Sequence, residues 1–156
     1  MTSTTTLEVL ERAERQCAEH GSRLTEKRRQ VLTGLLESQK ALSAYELAAF
    51  CSQELKINLL PMSVYRILEF LEGEDLVHHL KLANKYVACS HITCDHAHET
   101  PQFLICKACN QVKEVAISRA TIRSIAKVVE AADYRLDNSQ LELDCLCRTC
   151  TVEEDA

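Results

Sequence analysis

Residues 61–89 read PMSVYRILEFLEGEDLVHHLKLANKYVAC, and the hydrophobic period changes inside that stretch. Up to Leu71 the apolar residues Val64, Ile67, Leu68 and Leu71 recur three and four apart, the spacing of one buried helix face. Pro61 suits the first turn of that helix, and Ser63 is a competing cap. From Leu76 the pattern shortens to two strand-like runs, Leu76 to Leu82 and Lys85 to Cys89, joined at Ala83 and Asn84. On the first strand His79 faces away from His78 and is expected to be exposed. A helix followed at once by a hairpin is the second half of a winged helix-turn-helix.

Working upstream, three more helices precede this unit. Leu7, Leu10, Ala13 and Cys17 form a stripe that should end at His20-Gly21. Thr25 is placed to cap a second helix carrying Val31, Leu32, Leu35 and Leu36. Ser43 with Glu46 three residues on is a capping box, opening a third helix through Leu47, Phe50 and Leu55. Cys17 and Cys51 fall on inner faces and read as core thiols. In a helix-turn-helix the first turn of the second helix enters the major groove. That turn presents Ser63, Tyr65 and Arg66. Arg66 can pair with guanine O6 and N7, and Tyr65 can meet a thymine methyl or a phosphate. Arg23, Lys27, Arg28 and Arg29 cluster at the start of the second helix, where Arg23 and Arg28 are expected to neutralise phosphates. Four charges alone describe a solvated face; the helix–helix–hairpin order turns them toward double-stranded DNA. A net charge of −5 does not advertise that partner, but a local basic patch can still grip phosphate.

Working downstream, residues 90–102 hold no apolar pattern and contain His91, Cys94, His96, His98 and Pro101. Phe103 to Cys106 and Val112 to Val115 read as strands, Ile117 to Ala132 as a helix, and Tyr134 to Leu146 as a returning strand. The expected organisation is a DNA-binding winged helix over 1–84, a ligand-bearing hinge over 85–102 and an α/β dimerisation domain over 103–156. The fold class is α+β.

Two Cys-x-x-Cys pairs, Cys106/Cys109 and Cys147/Cys150, lie about forty residues apart. Four thiolates repel one another unless a cation sits among them. Two such knuckles match the tetrahedral preference of zinc in closed, structural sites. A second set, His78, Cys89, His96, His98 and Glu114, mixes imidazole, thiolate and carboxylate, which also suits zinc. Any one of these residues alone is unremarkable on a surface. Together they come from both halves of the chain, and an ion held by them would tie metal occupancy to domain geometry. Two zinc ions per subunit follow, one structural and one regulatory.

The remaining features narrow the class. Nine cysteines without a secretion signal favour metal ligands in the cytoplasm over disulfides. No apolar run is long enough to span a membrane. A zinc deaminase needs His-x-Glu and then Pro-Cys-x-x-Cys; here Glu99 directly follows His98 and Ile105 precedes Cys106. With three glycines there is no phosphate-cradling loop, so neither an enzyme nor a small-molecule substrate is expected. A thiol redox sensor using Cys-x-x-Cys is the competing class.

The chain resembles the ferric uptake regulator family over nearly its whole length. The likeness runs through Arg23-Leu24-Thr25, Leu42 to Tyr45, Ser63 to Leu68, Leu76 to His78, Tyr86 to Cys89, Phe103 to Cys109 and Cys147 to Cys150. Within the family it is most like the branch that regulates zinc uptake. The resemblance implies a homodimeric repressor with zinc as corepressor. It implies that Cys106, Cys109, Cys147 and Cys150 hold the structural ion, and that His78, Cys89, His98 and Glu114 hold the sensing ion. The interval from His98 to Cys106 is one residue longer than in close relatives of the family, so His96 and Cys94 stay open as replacements. Iron-sensing members carry a His-rich run before the first knuckle; here the run is Cys94-Asp-His-Ala-His-Glu99. Cys89 adds a sulfur that selects zinc over ferrous iron. Relatives sensing iron, manganese or peroxide are the alternative within the family. Asn110 stands where the family often has glycine, and Glu26 where it often has proline.

Overall fold

The reading helix and hairpin form as their sequence dictates. A computed structural model of the chain describes residues 4–93, 101–137 and 139–154. It divides into two units, Met1–His96 and Ala97–Ala156. In the first, α1 (Thr4–Glu19), α2 (Glu26–Ser38), α3 (Ala44–Glu54) and α4 (Pro61–Gly73) precede the hairpin strands β1 (Val77–Leu80) and β2 (Lys85–Ala88). The strands pair antiparallel, with His78 opposite Val87 and His79 opposite Tyr86.

The helix ends are chemically marked. Gly21 takes a left-handed φ of 76°, and Ser22 N donates back to Cys17 O at 2.8 Å, which closes α1. Ser43 and Glu46 make both halves of the capping box at α3. Two expectations fail here. Thr25 occupies the N-cap of α2, but its side chain makes no capping bond. Leu60, not Ser63, is the N-cap of α4, because Pro61 already supplies a helical φ at the first position.

The core of this unit draws on every element. Leu10, Ala13 and Cys17 of α1 meet Val31, Leu32 and Leu35 of α2, Leu47 and Cys51 of α3, Val64, Leu68 and Leu71 of α4, and Leu76 below the hairpin. Both Cys17 and Cys51 are fully buried, and burial pushes both thiols up. They are core residues, as their positions in the pattern predict. Gly34 lets α2 lie close against α3: a β-carbon there would lie 2.6 Å from Cys51 Sγ. His79 departs from expectation. It is half-buried, stacked on Tyr86 with ring centroids 4.5 Å apart, because Tyr86 is its partner directly across the hairpin.

The second unit is a three-stranded sheet with two helices. Its strands are β3 (Gln102–Cys106), β4 (Val112–Val115) and β5 (Glu142–Cys145), in the order β4-β3-β5. β3 pairs antiparallel with β4 and parallel with β5, the crossover carrying α5 (Arg119–Ala131). α6 (Arg148–Glu154) follows β5. The long strand expected over Tyr134 to Leu146 is confined to four residues, and α6 was not foreseen. Phe103 and Gln102 are buried, and the Gln102 side chain donates to Ser139 O and accepts from Leu141 N. That amide stitches the start of β3 to the approach of β5. α5 carries Ile122, Ile125 and Val129 on one face, yet none of its residues is buried. Ala132, expected on that face, is the exposed C-cap.

Candidate metal centre and nucleic-acid interface

The metal cage is assembled by ordinary sheet geometry. β3 and β5 run parallel with Cys106 in register with Cys145, so both strands end at the same edge. After β3 the chain turns at once. Asn110 N donates to Cys106 O at 2.9 Å, and Cys106 N donates to Gln111 O at 2.9 Å. Asn110 holds a φ of 61°, a left-handed conformation that asparagine tolerates nearly as well as glycine. This explains how asparagine can occupy a glycine position. After β5 the chain passes Cys147 and enters α6, whose first turn carries Cys150 three residues on. The ligand sulfurs of Cys106, Cys109, Cys147 and Cys150 all lie within 4.8 Å of one another.

The donor set fits zinc. A Zn–S bond of about 2.3 Å makes the edge of a tetrahedron of sulfurs about 3.8 Å. Cys109 Sγ and Cys147 Sγ stand 3.8 Å apart. Backbone N–H groups already point at the sulfur that carries charge: Cys147 N donates to Cys106 Sγ at 3.3 Å. That bond first, then one from Cys109 N, holds the Cys106 thiol down to about 6. Cys150 goes the other way, pushed up first by the Cys147 sulfur and then by burial. Four thiols crowded this closely cannot all ionise unless a cation sits among them. A dication removes the conflict and displaces the protons. Cys145 lies beside this cage, half-buried, outside the group of four.

The second set is distributed over more of the chain. His78 on β1 and Cys89 just after β2 have ligand atoms within 4.8 Å of one another. Cys89 N donates to Leu76 O at 2.9 Å, and His91 N donates to Cys89 Sγ at 3.4 Å, so the sulfur is fixed and faced by a backbone dipole. Glu114 lies on β4 of the second unit, half-buried and opposite Phe103. His98, with His96 and Cys94, lies outside the described residues.

The candidate DNA face is the first turn of α4. Tyr65 is 43% exposed and Arg66 is exposed, while Ser63 is half-buried. Arg23 is exposed in the loop before α2. Arg28 is held: its guanidinium lies 3.5 Å over the Phe70 ring, and Nη1 donates to Arg23 O at 2.6 Å. It therefore braces the Arg23 loop against α4. Arg29 pairs with Glu14 of α1 at 3.4 Å. Sequence reasoning missed a cleft of about 140 Å³ where the first turns of α3 and α4 meet the hairpin turn. Tyr45, Met62, Tyr65, Asn84 and Tyr86 line it. Burial, then the neighbouring Tyr65, raises the Tyr86 hydroxyl above its usual range.

The sequence profile described as "Ferric uptake regulator family" matches residues 19–144, a span that takes in the reading head and both strands of the first knuckle. The chain belongs to the ferric uptake regulator family. The zinc uptake regulation protein of Escherichia coli (strain K12) is 34% identical over 155 residues, covering 99% of this chain and 88% of that protein. A zinc uptake regulator complexed with zinc and DNA superposes with a TM-score of 0.82 at 31% identity, over 99% of this chain and all of that one. Holo XcZur gives 0.72 at 31% identity, over 92% of this chain and 96% of its own. Among the described residues, the four-thiol cage and the His78–Cys89 pair are metal-competent features. Among the described residues no helix is long and apolar enough to cross a membrane.

Proposed function

We propose that this chain is a zinc-responsive, DNA-binding transcriptional repressor that controls zinc uptake, acting as a homodimer in the cytoplasm. Zinc serves as corepressor. The observation that carries this reading is the Cys89 sulfur fixed beside His78 at the base of the wing. Its relatives are named for zinc uptake regulation, and its fold follows one captured with zinc and DNA. A thiolate in the sensing set favours zinc over ferrous iron or manganese, which prefer nitrogen and oxygen donors.

The roles divide among the chain's own residues. Cys106, Cys109, Cys147 and Cys150 hold a structural zinc that pins β3 to α6. We propose that His98 and Glu114 join His78 and Cys89 in the sensing set. Bound there, zinc supplies a cation that gathers donors from the wing, the hinge and the second unit. Tyr65 and Arg66, with Ser63 beside them, meet base edges, while Arg23 neutralises phosphate and Arg28 holds Arg23 in place. The apolar face of α5, unburied within one chain, supports pairing of two copies. Two reading heads must then match half-sites one helical turn apart or multiples of it. Moving a 1:99 equilibrium to 99:1 needs about 10⁴-fold tighter zinc binding to the competent form, about 5.5 kcal/mol. A four-donor set containing a thiolate is of the right strength; two donors are not.

Cys89→Ser tests the assignment. The variant is expected to keep its fold, its dimer and one zinc per subunit while losing zinc-dependent operator binding. Zinc-dependent binding that survives the substitution would remove Cys89 from the sensing set.

A further inference from the structure

The second unit contains one thiol more than its cage uses. Cys106, Cys109, Cys147 and Cys150 make the group of four, and Cys145 is left over beside them. The sheet fixes where it stands. Cys145 ends β5 and Cys106 ends β3, and the two are in-register partners on parallel strands. Lys107 N donates to Cys145 O at 3.0 Å, which carries the pairing past the last residue of β3. Side chains at partnered positions of neighbouring strands point to the same face. Strand spacing sets such α-carbons about 4.7–4.9 Å apart, inside the range of about 4.4–6.8 Å over which a disulfide closes. Cys106 and Cys145 are therefore a pair that can be bridged, and only one of them belongs to the cage.

The two sulfurs are held differently. Cys106 is buried, accepts the N–H of Cys147 at 3.3 Å and is one of the four zinc donors. Cys145 is half-buried and outside that group. An oxidant arriving from solvent thus meets a thiol that zinc does not engage, with a zinc-bound thiolate next to it. Cysteines that sense oxidants are accessible and stand beside a resolving cysteine. The consequence of bridging is large here. Among the described residues, Phe103 and Cys106 are the buried apolar side chains of this unit, so little packing offsets the loss of its metal.

We propose that Cys145 is an oxidation site, at which hydroperoxides drive a Cys106–Cys145 disulfide that takes one ligand from the structural zinc. The proposal rests on the zinc assignment of the cage and adds a second input to the repressor. The Cys145 thiolate attacks one oxygen of the hydroperoxide. An S–O bond forms, the O–O bond breaks, and the leaving oxygen takes a proton to become an alcohol, or water when the oxidant is hydrogen peroxide. The Cys106 thiolate then leaves zinc and attacks the Cys145 sulfur. The S–S bond forms, the S–O bond breaks, and the departing hydroxide takes a proton to become water. Two thiols have given up one electron each, and the peroxide bond has been reduced. Zinc keeps three protein donors and an open position, so the closed site is lost. A thiol reductant reverses the bond by exchange.

The test treats full-length, zinc-loaded protein with hydrogen peroxide after reductant is removed. Zinc release is followed with a chromogenic chelator, the disulfide by peptide mapping without reduction, and operator binding by titration. Wild type is expected to form the Cys106–Cys145 bond, lose the cage zinc and operator binding, and regain both with thiol reductant and added zinc. Cys145→Ser leaves the four zinc donors in place. It is expected to bind operator like wild type before treatment and to keep its zinc through the treatment that empties wild type. Zinc loss from Cys145→Ser at the wild-type rate overturns the proposal. So does a wild-type map in which the disulfide joins two cage cysteines, or Cys145 to Cys147, a result that stands whether or not the variant folds. Untreated wild type without zinc in its cage is the separate failure of the structural-zinc reading, and the map still scores the Cys106–Cys145 pair.

Discussion

Cys106 is the residue on which the structural centre converges. It ends β3, and the backbone N–H that Cys147 donates to its sulfur holds its thiol down to about 6. Structural zinc contributes roughly 10–16 kcal/mol of apparent binding free energy in zinc-finger peptides. The second unit buries few apolar side chains, so it depends on that energy. Cys106→Ser is expected to drop one zinc per subunit, unfold the second unit and release monomers, as read by metal analysis, circular dichroism and sedimentation. A folded, dimeric Cys106→Ser protein without that zinc would refute the assignment. Arg66 and Arg28 form an instructive pair. Arg66→Ala should cost about 1–3 kcal/mol of operator affinity and relax preference at one position. Arg28→Ala acts through Arg23 and Phe70. It should weaken specific and random duplexes alike and lower the salt slope by about one. It should also cost about 0.5–1 kcal/mol of stability from the lost cation–π contact. Equal losses on both kinds of DNA for both variants would show that α4 is not the reading element.

Among the elements, α3 shows local sequence deciding local structure. Ser43 N donates to Glu46 Oε2 at 2.8 Å, and that bond, aided by Lys85, holds the Glu46 carboxyl below its usual range. A lowered carboxylate pKa means the stabilisation is fully present above the unfolded value, about 4.3, and is lost as pH falls through the lower folded value. Removing the capping-box partner in Glu46→Ala should cost about 0.3–1.5 kcal/mol near neutral pH, with a difference that shrinks in acid. A denaturant series at several pH values checks it; a pH-independent difference would contradict the cap. The capping box, the α4 stripe and the switch to strand at Leu76 were all legible because their causes lie within a few residues. β5 and α6 were not. Their limits are set by pairing with β3 and by where two sulfurs must point, neither of which leaves a period in seven or fewer residues. Gln102 carries no local signal either, since its partners lie 37 and 39 residues away. Likewise, α5 was legible as an amphipathic helix, but among the described residues its apolar face is only half-buried.

At the scale of the whole molecule, the family, the reading head and the four-thiol cage were readable from residue types and spacing, since metal chemistry constrains spacing tightly. The sensing set was readable only as chemistry: its donors are scattered across wing, hinge and second unit, and their joint role is a proposal. Zinc specificity is the central claim, because it separates this chain from iron- and manganese-sensing relatives of the same fold. The direct measurement is operator binding by metal-stripped sensing sites, with the structural zinc retained, during titration with zinc, ferrous iron and manganese under reductant. Zinc is predicted to restore full binding at concentrations at which iron and manganese restore none. Restoration by ferrous iron or manganese with zinc inactive would contradict the account.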